Sequence, residues 1–287
     1  MTGRDERGGS GSRRYAEIGE VHRRAETGSD GIVLELKLPA LDMTIKAGAF
    51  FMLRTDDPGF PFLNRPFSVL DVAYGSRGEV IGVSFLFKVL GRGTRLLAAA
   101  ARGDRIHIIG PLGKGFPAPA DDGRIILVAG GVGIPPLYLR AAELMAQDPQ
   151  RGARSVLLFG AADRGRLYLR EEIESLGLPC RFATEDGSWG LRGRVDRLLE
   201  DELSRSGSAV SQILACGPHP MLRAVSRVAH HRGLRCYVSL ETHMGCGFGV
   251  CNGCAVKVRD SDRPEGFRYD RACRDGPVFD HAALVWE

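Results

Sequence analysis

The sequence of 287 residues has no long hydrophobic run. Its most apolar stretch, residues 125–139, is interrupted by three glycines and two prolines, whereas a transmembrane helix needs about 20 consecutive apolar residues. The first 14 residues, MTGRDERGGSGSRR, also lack the apolar core of a secretory signal, and their Gly, Ser and Arg content predicts a mobile tail. The sequence therefore predicts no membrane span and a cytoplasmic location.

A strong excess of one charge is also missing. The 39 Lys and Arg residues against 35 Asp and Glu residues give a formal net charge of +4, and the two signs are interspersed. This balance does not support nucleic acid binding. With 44% hydrophobic and 26% charged residues the chain has a globular composition, and at about 150 residues per domain it has room for two domains and a small third one.

Cysteines are few, and their odd number of seven does not favour a disulfide framework. Four of them, Cys246, Cys251, Cys254 and Cys273, follow the spacing C-x4-C-x2-C with a remote fourth member. This is the plant-type ferredoxin spacing, in which four thiolates hold a [2Fe-2S] cluster. The spacing predicts these four residues as the metal ligands.

The alternative for the same cysteines is a tetrahedral zinc site. Zinc sites usually combine two short C-x2–4-C hooks, whereas here three candidate ligands share one loop. That loop is rich in glycine, which lacks a Cβ and lets the backbone wrap closely around sulfur atoms. The pattern favours the iron–sulfur cluster over zinc.

Three modules follow one another along the chain. Residues 15–118 contain short β-favouring runs separated by Gly, Pro and Asp, which predicts an antiparallel β-barrel. One helix is predicted to begin at Thr94 and run through Ala101. Residues 119–240 alternate continuous apolar strands with helical stretches, which predicts a parallel α/β sheet. Residues 241–287 form a small Gly- and Cys-rich segment.

Two short motifs of the predicted barrel could serve an anionic cofactor. The tetrapeptide R-P-F-S at 65–68 begins a predicted strand, and G-R-G-T at 91–94 precedes the predicted helix. Glycines and a helix N-terminus suit a pyrophosphate. Each motif alone has an ordinary explanation, the first as an edge strand with a proline and the second as a turn with Thr94 as the helix cap.

The α/β module has two glycine turns after buried strands. The first is G-G-V-G-I-P-P at 130–136 and the second is C-G-P at 216–218. Ligands in open α/β sheets bind beyond the carboxyl ends of the strands, so both turns are expected to face one crevice that holds a nucleotide. This places Cys216 near a nicotinamide, as a candidate catalytic residue, with simple packing as its alternative.

The order of these four motifs resembles that of the ferredoxin–NADP reductase family of flavoproteins, over roughly residues 15–240. The resemblance implies a β-barrel flavin domain, an α/β parallel-sheet nucleotide-binding domain and, here, a small C-terminal [2Fe-2S] domain. The residues implied for FAD are Arg65, Pro66, Phe67, Ser68, Leu86, Phe87, Lys88, Gly93 and Thr94. Those implied for NAD are Gly130, Gly131, Gly133, Pro135, Gly217 and Pro218.

The C-terminal sequence C-R-D-G-P-V-F at 273–279 is similar to that of the electron transfer subunits of dihydroorotate dehydrogenase B. The chain departs from their pattern in a longer charged insert, RDSDRPEGFRYDR. The resemblance implies that electrons pass from the FMN of a separate catalytic subunit through the cluster and FAD to NAD+, in a complex of two plus two chains. The alternatives are an NAD(P)H-oxidising subunit of a hydrogenase, sulfide-linked or ferredoxin-linked complex, and a zinc-stabilised nucleotide-binding module.

Overall fold

The computed structural model describes residues 15–205 and 209–286, so the predicted N-terminal tail lies outside the described residues. The first part is a closed antiparallel barrel in the order β1-β2-β5-β4-β3-β6. Its strands are β1 (Tyr15–Thr27), β2 (Gly31–Leu41), β3 (Phe50–Thr55), β4 (Arg65–Tyr74), β5 (Val80–Lys88) and β6 (Arg105–Leu112). Alternate residues point inwards, and the interior is filled by side chains such as Leu34, Phe51 and Phe85.

Helix α1 (Arg92–Ala99) lies between β5 and β6. It begins two residues earlier than the sequence predicted, because Thr94 acts inside the first turn instead of capping it. The Thr94 hydroxyl accepts hydrogen bonds from the backbone N–H groups of Leu90 and Gly91, at 2.9 and 3.0 Å. The G-R-G-T motif therefore forms the start of the helix itself.

The second part is a sheet of seven strands in the order β10-β9-β8-β7-β11-β12-β15. Its elements up to residue 240 are β7 (Arg124–Gly130), α2 (Pro135–Gln147), α3 (Pro149–Arg154), β8 (Val156–Ala161), α4 (Arg170–Ser175), β9 (Cys180–Thr184), β10 (Leu191–Arg192), α5 (Val195–Arg205), β11 (Val210–Cys216), α6 (His219–His231) and β12 (Cys236–Ser239). The strands of this group pair in parallel. All seven residues of β7 are buried, as expected for a central strand covered on both faces.

The cysteine segment, residues 241–286, adds three strands. Strands β13 (Ala255–Arg259) and β14 (Phe267–Arg271) form an antiparallel hairpin that contains the charged insert. Strand β15 (Val278–Asp280) pairs antiparallel with β12 and becomes the edge of the seven-stranded sheet. The cysteine segment is thus tied into the α/β sheet by main-chain hydrogen bonds.

The barrel and the sheet are joined by the turn between β1 and β2. The Ser29 N–H donates to the Gly165 carbonyl at 2.7 Å, and the Leu169 N–H donates to the Thr27 hydroxyl at 3.1 Å. No helix of the described residues is long and apolar enough to cross a bilayer. The sequence prediction of a barrel, an α/β sheet and a C-terminal cysteine segment is confirmed.

Candidate functional site

A central cavity of about 400 Å³ opens between the barrel and the carboxyl end of the α/β sheet. The residues predicted for FAD that line it are Pro66, Phe67, Ser68, Leu86, Phe87, Lys88 and Thr94. The rings of Phe67 and Phe87 lie 5.0 Å apart, with their planes inclined by 40°. Strands β4 and β5 pair with each other and bring these side chains to one wall. The wall is apolar and aromatic, as a flat isoalloxazine ring requires.

The remaining two predicted flavin residues, Arg65 and Gly93, meet at the start of α1. A Cβ added to Gly93 would lie 3.1 Å from Arg65 Nε and 3.4 Å from Arg65 Cγ. The glycine therefore lets the arginine side chain lie against the first helical turn. A guanidinium beside unpaired N–H groups suits the pyrophosphate of FAD, so the residues present fit the cofactor.

Lys88 stands where the central cavity meets a second cavity. Its ammonium lies 3.1 Å from Asp30 Oδ2, and the Tyr168 hydroxyl also donates to this carboxylate. Burial alone would raise the pKa of Asp30, but the hydrogen bonds from Tyr168 and Lys88 outweigh it and hold that pKa below its ordinary value. The same burial and the Asp30 hydrogen bond raise the pKa of Tyr168. The carboxylate is thus charged, and Lys88 is held at the border of the two cavities.

The second cavity, the nucleotide cleft, measures about 460 Å³ and lies over the carboxyl ends of β7 and β8. Gly130, Gly131 and Pro218 of the predicted nucleotide site line it. Pro135 lines the central cavity instead. The two cavities share Lys88, Val132 and Glu241. A dinucleotide in the cleft would therefore reach the flavin wall.

Gly133 and Gly217 line neither cavity and hold the two glycine turns together. A Cβ on Gly133 would lie 2.6 Å from the Cys216 carbonyl carbon and the Gly217 nitrogen. Gly217 has a φ of +156° and lies against Gly130. A Cβ added to Gly217 would lie 3.0 Å from the Cα of Gly130. These glycines shape the crevice through backbone packing, and their contact with NAD stays a prediction.

Cys216 lines the central cavity at the end of β11 and is 3% exposed. Burial and the nearby carboxyl of Glu241 raise its pKa well above the ordinary range. The thiol is therefore neutral at physiological pH. It offers a compact, uncharged surface beside the place where flavin and nicotinamide would meet.

Glu241 is a site residue that the sequence reasoning missed. It lines both cavities and stays open to solvent, and partial desolvation by the cavity walls raises the pKa of its carboxyl. Nothing in the local sequence marks it, since it is a single carboxylate outside any motif. Its position just beyond β12, at the carboxyl end of the sheet, is the signal that could have found it.

The two arginines that follow β8 both contact neighbouring side chains. Arg166 Nη1 donates to Asp163 Oδ2 at 2.6 Å, and its Nε lies 3.8 Å from Asp30 Oδ2. Arg164 lies over the Trp189 ring, with its guanidinium carbon 4.9 Å from the ring centroid. Asp163 and Asp30 thus hold Arg166 at the nucleotide cleft, which its side chain lines.

The four candidate ligand cysteines fall into two pairs. Cys254 and Cys273 are buried with their sulfurs 3.1 Å apart, while the Cys251 N–H donates to Cys246 Sγ at 3.5 Å. Among the described residues, no three His, Cys, Asp or Glu side chains converge on one metal position. Two sulfur pairs suit two irons, each bound by one pair, better than a single zinc ion that needs all its ligands at one point.

Backbone N–H groups already stabilise thiolate at Cys246. Burial would raise the pKa of this thiol, but N–H groups of Cys251, Phe248 and Val250 outweigh it and lower the pKa to about 6. The glycines of the loop allow this approach, since a Cβ on Gly245 would lie 3.2 Å from Cys251 Sγ. The loop thus provides the donor set and the N–H groups that an iron–sulfur cluster requires.

Comparisons with known proteins agree with this geometry. Residues 241–285 match the family model described as the iron–sulfur cluster binding domain of dihydroorotate dehydrogenase B, and residues 127–227 match an oxidoreductase NAD-binding domain. The NADH-dependent reduced ferredoxin–NADP oxidoreductase structure, which concerns flavin-based electron bifurcation, has a TM-score of 0.76 and 26% identity, covering 93% of this chain and 90% of that one. The ferredoxin reductase of carbazole 1,9a-dioxygenase has a TM-score of 0.65 and 20% identity. This match covers 77% of this chain and 67% of that one.

Curated relatives match along most of their length. The dihydroorotate dehydrogenase B (NAD(+)) electron transfer subunit of Geobacillus thermodenitrificans is 38% identical over 241 residues, covering 83% of this chain and 86% of the relative. The same subunit of Caldanaerobacter subterraneus is 38% identical over 232 residues, covering 81% and 84%. FAD, a [2Fe-2S] cluster and NAD are the cofactors that these findings support, and the chain belongs to the family of dihydroorotate dehydrogenase B electron transfer subunits.

Proposed function

We propose that this chain passes electrons from the FMN of a dihydroorotate-oxidising catalytic subunit to NAD+, in a cytoplasmic complex of two plus two chains. The observation that carries the proposal is the composition of the central cavity. Its walls include Pro135 and Cys216 from the nucleotide turns and His243 and Met244, which lead directly into Cys246. One cavity therefore borders both the nucleotide cleft and the cysteine loop.

This arrangement suits a converter between one-electron and two-electron carriers. When bound, FAD takes up the two electrons of a hydride together and releases them singly, while a [2Fe-2S] cluster carries one electron at a time. The chain's own residues position these groups. Arg65 and the first turn of α1 would hold the pyrophosphate, and Phe67 and Phe87 would hold the ring.

Two residues at the junction of the cavities carry no net charge into it. Cys216 stays a neutral thiol because burial raises its pKa. Lys88 is neutralised by Asp30 at 3.1 Å. Hydride transfer between a bound flavin and a bound nicotinamide would need no proton donor from the protein, and Cys216 and the Lys88–Asp30 pair offer none.

The partner would dock where the cysteine loop meets solvent. Cys251 is exposed, and its neighbour Val250 carries an apolar side chain that is 73% exposed. Leu63 belongs to the same surface, since its Cδ2 lies 4.0 Å from a Cβ placed on Gly245. Exposed apolar side chains next to a redox centre are typical of a protein interface, and they bring the partner within electron-transfer distance.

The docking surface is tested by Val250→Glu, with Leu191→Glu as a matched control at the far edge of the sheet. We expect Val250→Glu to lower dihydroorotate-dependent NADH formation at least about tenfold, because a charge is desolvated at the interface. NADH–dye reduction by the same variant should be unchanged. Equal dihydroorotate activity in the two variants would refute the docking surface.

The function itself is tested by purifying the chain anaerobically with its co-eluting partner and assaying dihydroorotate-dependent NADH formation. NADH formation by a complex that contains FMN and equal numbers of the two chains supports the proposal. If the complex oxidises NADH but does not respond to dihydroorotate, the electron path belongs to another partner, such as a hydrogenase or a sulfide- or ferredoxin-linked complex.

A further inference from the structure

A third cavity, which we call the basic cavity, measures about 500 Å³ and lies between α6 and the C-terminal residues. Nine described residues line it, and six of these have basic side chains. The basic residues are Arg223, Arg227, His230, His231, Arg259 and His281. The basic cavity shares no residue with the central cavity or the nucleotide cleft. It is therefore separate from the redox site.

Helical spacing produces one wall of the basic cavity. Positions 223, 226, 227 and 230 of α6 are three or four residues apart and so lie on one face of the helix. Arg259, at the end of β13, and the segment from His281 to Trp286 form the opposite side. The site is thus assembled by three elements that meet only in the folded chain.

The floor of the basic cavity is fixed and polar. His281 and Ser226 are only 7% and 5% exposed, and His281 Nδ1 lies 2.9 Å from the Ser226 hydroxyl. Trp286 is held by its indole N–H, which donates to the His281 carbonyl at 3.2 Å, and its ring lies 5.3 Å from the ring of His219. A buried, hydrogen-bonded floor and a fixed indole indicate a preformed site.

Two of the basic side chains, those of Arg227 and Arg259, have no acidic partner in the described part of the chain. The nearest carboxylate in sequence to the floor, Asp280, accepts from the Ala282 N–H at 2.9 Å and does not line the cavity. Two guanidinium groups that face one space and form no ion pair with the described residues are suited to a doubly charged anion.

We propose that the basic cavity binds a small organic phosphate of mononucleotide size. Arginine guanidinium groups recognise phosphate oxygens with paired hydrogen bonds. A free phosphate ion would occupy only a small part of about 500 Å³, whereas small-molecule sites of about 300–1,000 Å³ hold ligands with an organic body. The Trp286 and histidine rings provide the stacking surface for that body. The ligand would bind independently of NAD.

The proposal is tested by calorimetry on the holoprotein with saturating NAD+, at about 0.15 M salt to suppress non-specific charge effects. The probes are AMP, UMP, ribose 5-phosphate and inorganic phosphate. Arg227→Gln/Arg259→Gln removes the two guanidinium groups, and Arg102→Gln/Arg192→Gln is the control with the same charge change elsewhere. All four arginines are exposed, so both variants should fold with normal flavin content.

We expect at least one of the two mononucleotides to bind, and the Arg227→Gln/Arg259→Gln variant to weaken that binding at least about tenfold, as loss of charge-assisted hydrogen bonds predicts. The control variant should bind normally. Equal weakening in both variants, or no binding of any organic phosphate, would overturn the proposal. Binding of inorganic phosphate as tight as that of the mononucleotides would overturn the assignment to an organic ligand. Loss of partner binding without any phosphate binding would identify a protein interface instead.

Discussion

At the scale of single residues, Cys251 is the one of the four candidate cluster ligands whose side chain is exposed, whereas Cys254 and Cys273 are buried. A Cys251→Ser variant should therefore fold, yet it removes a thiolate that a [2Fe-2S] cluster requires. We expect loss of the cluster and of dihydroorotate-dependent activity, with FAD content and NADH–dye reduction retained. Iron and flavin analysis checks this, with Cys180→Ser as the control. Full iron content in Cys251→Ser would show that the ligand assignment is wrong.

Asp163 and Arg166 form a second testable pair at the nucleotide cleft. The wild-type chain should prefer NADH, because the Arg166 guanidinium is bound to Asp163 at 2.6 Å. Asp163→Ala should release Arg166 towards a 2′-phosphate and raise the kcat/KM ratio of NADPH to NADH roughly tenfold, the value of one charge-assisted hydrogen bond. Dye reduction with both nucleotides measures this ratio. An unchanged ratio would mean that the 2′-position lies elsewhere.

Glu241 should influence the pH dependence of stability. Its folded-state pKa is raised by burial, so the folded protein binds a proton more readily than the unfolded chain does. The resulting stabilisation is present below the unfolded-state pKa of about 4.3 and is lost as pH rises through the folded-state pKa. Glu241→Gln should remove this loss of stability with rising pH. The loss is measured as the change of the unfolding midpoint across several pH values. If the stability of Glu241→Gln falls with pH as much as that of the wild type, another titratable group causes the pH dependence.

The residues of the site were predictable to different degrees. The spacing of the four cysteines predicts a shared cluster because ligands from one loop must follow one another closely in sequence, and their role as ligands stays a prediction. The R-P-F-S tetrapeptide predicted a flavin wall for a similar reason, since adjacent residues of one strand line it. Glu241 was missed because it reaches the site only through the parallel order of β7, β11 and β12. Sequence patterns reveal such a residue only when the sheet order is known.

At the scale of elements, the nucleotide crevice depends on close contact between two glycine turns. Gly133→Ala would place a Cβ 2.6 Å from the Cys216 carbonyl group, so the turns must separate. We expect a loss of about 1–3 kcal/mol in the free energy of unfolding, the usual cost of overpacking, and a raised KM for NADH. Gly91→Ala is the matched control, because no atom lies within 4 Å of its added Cβ. Denaturant unfolding that gives equal stability for both variants would contradict this account.

Element boundaries show what local sequence leaves undetermined. Helix α1 begins at Arg92 because the Thr94 hydroxyl closes the first turn from inside, a contact that resembles capping when only the sequence is seen. Strand β15 pairs with β12 in the α/β sheet, although 38 residues separate the two strands. Such long-range pairing depends on register and packing, which no local pattern specifies.

At the scale of the whole molecule, the barrel, the α/β sheet and the cysteine segment place their candidate sites next to one another. The nucleotide cleft and the cysteine loop both border the central cavity, and the exposed apolar side chains of Leu63 and Val250 lie at the cysteine loop. The contact of the β1–β2 turn with Gly165 and Leu169 fixes the barrel against the sheet. The relative position of flavin and nicotinamide is therefore set by the junction of two folded parts.

The most direct test of electron transfer between these sites is an anaerobic titration of the purified chain with NADH. The titration is monitored by flavin absorbance and by electron paramagnetic resonance of the cluster. We expect NADH to bleach the flavin and to produce the signal of a reduced [2Fe-2S] cluster, and we expect Cys251→Ser to keep the bleaching but lose the signal. A protein whose flavin is reduced while an intact cluster stays oxidised at full NADH excess would contradict electron transfer through this chain.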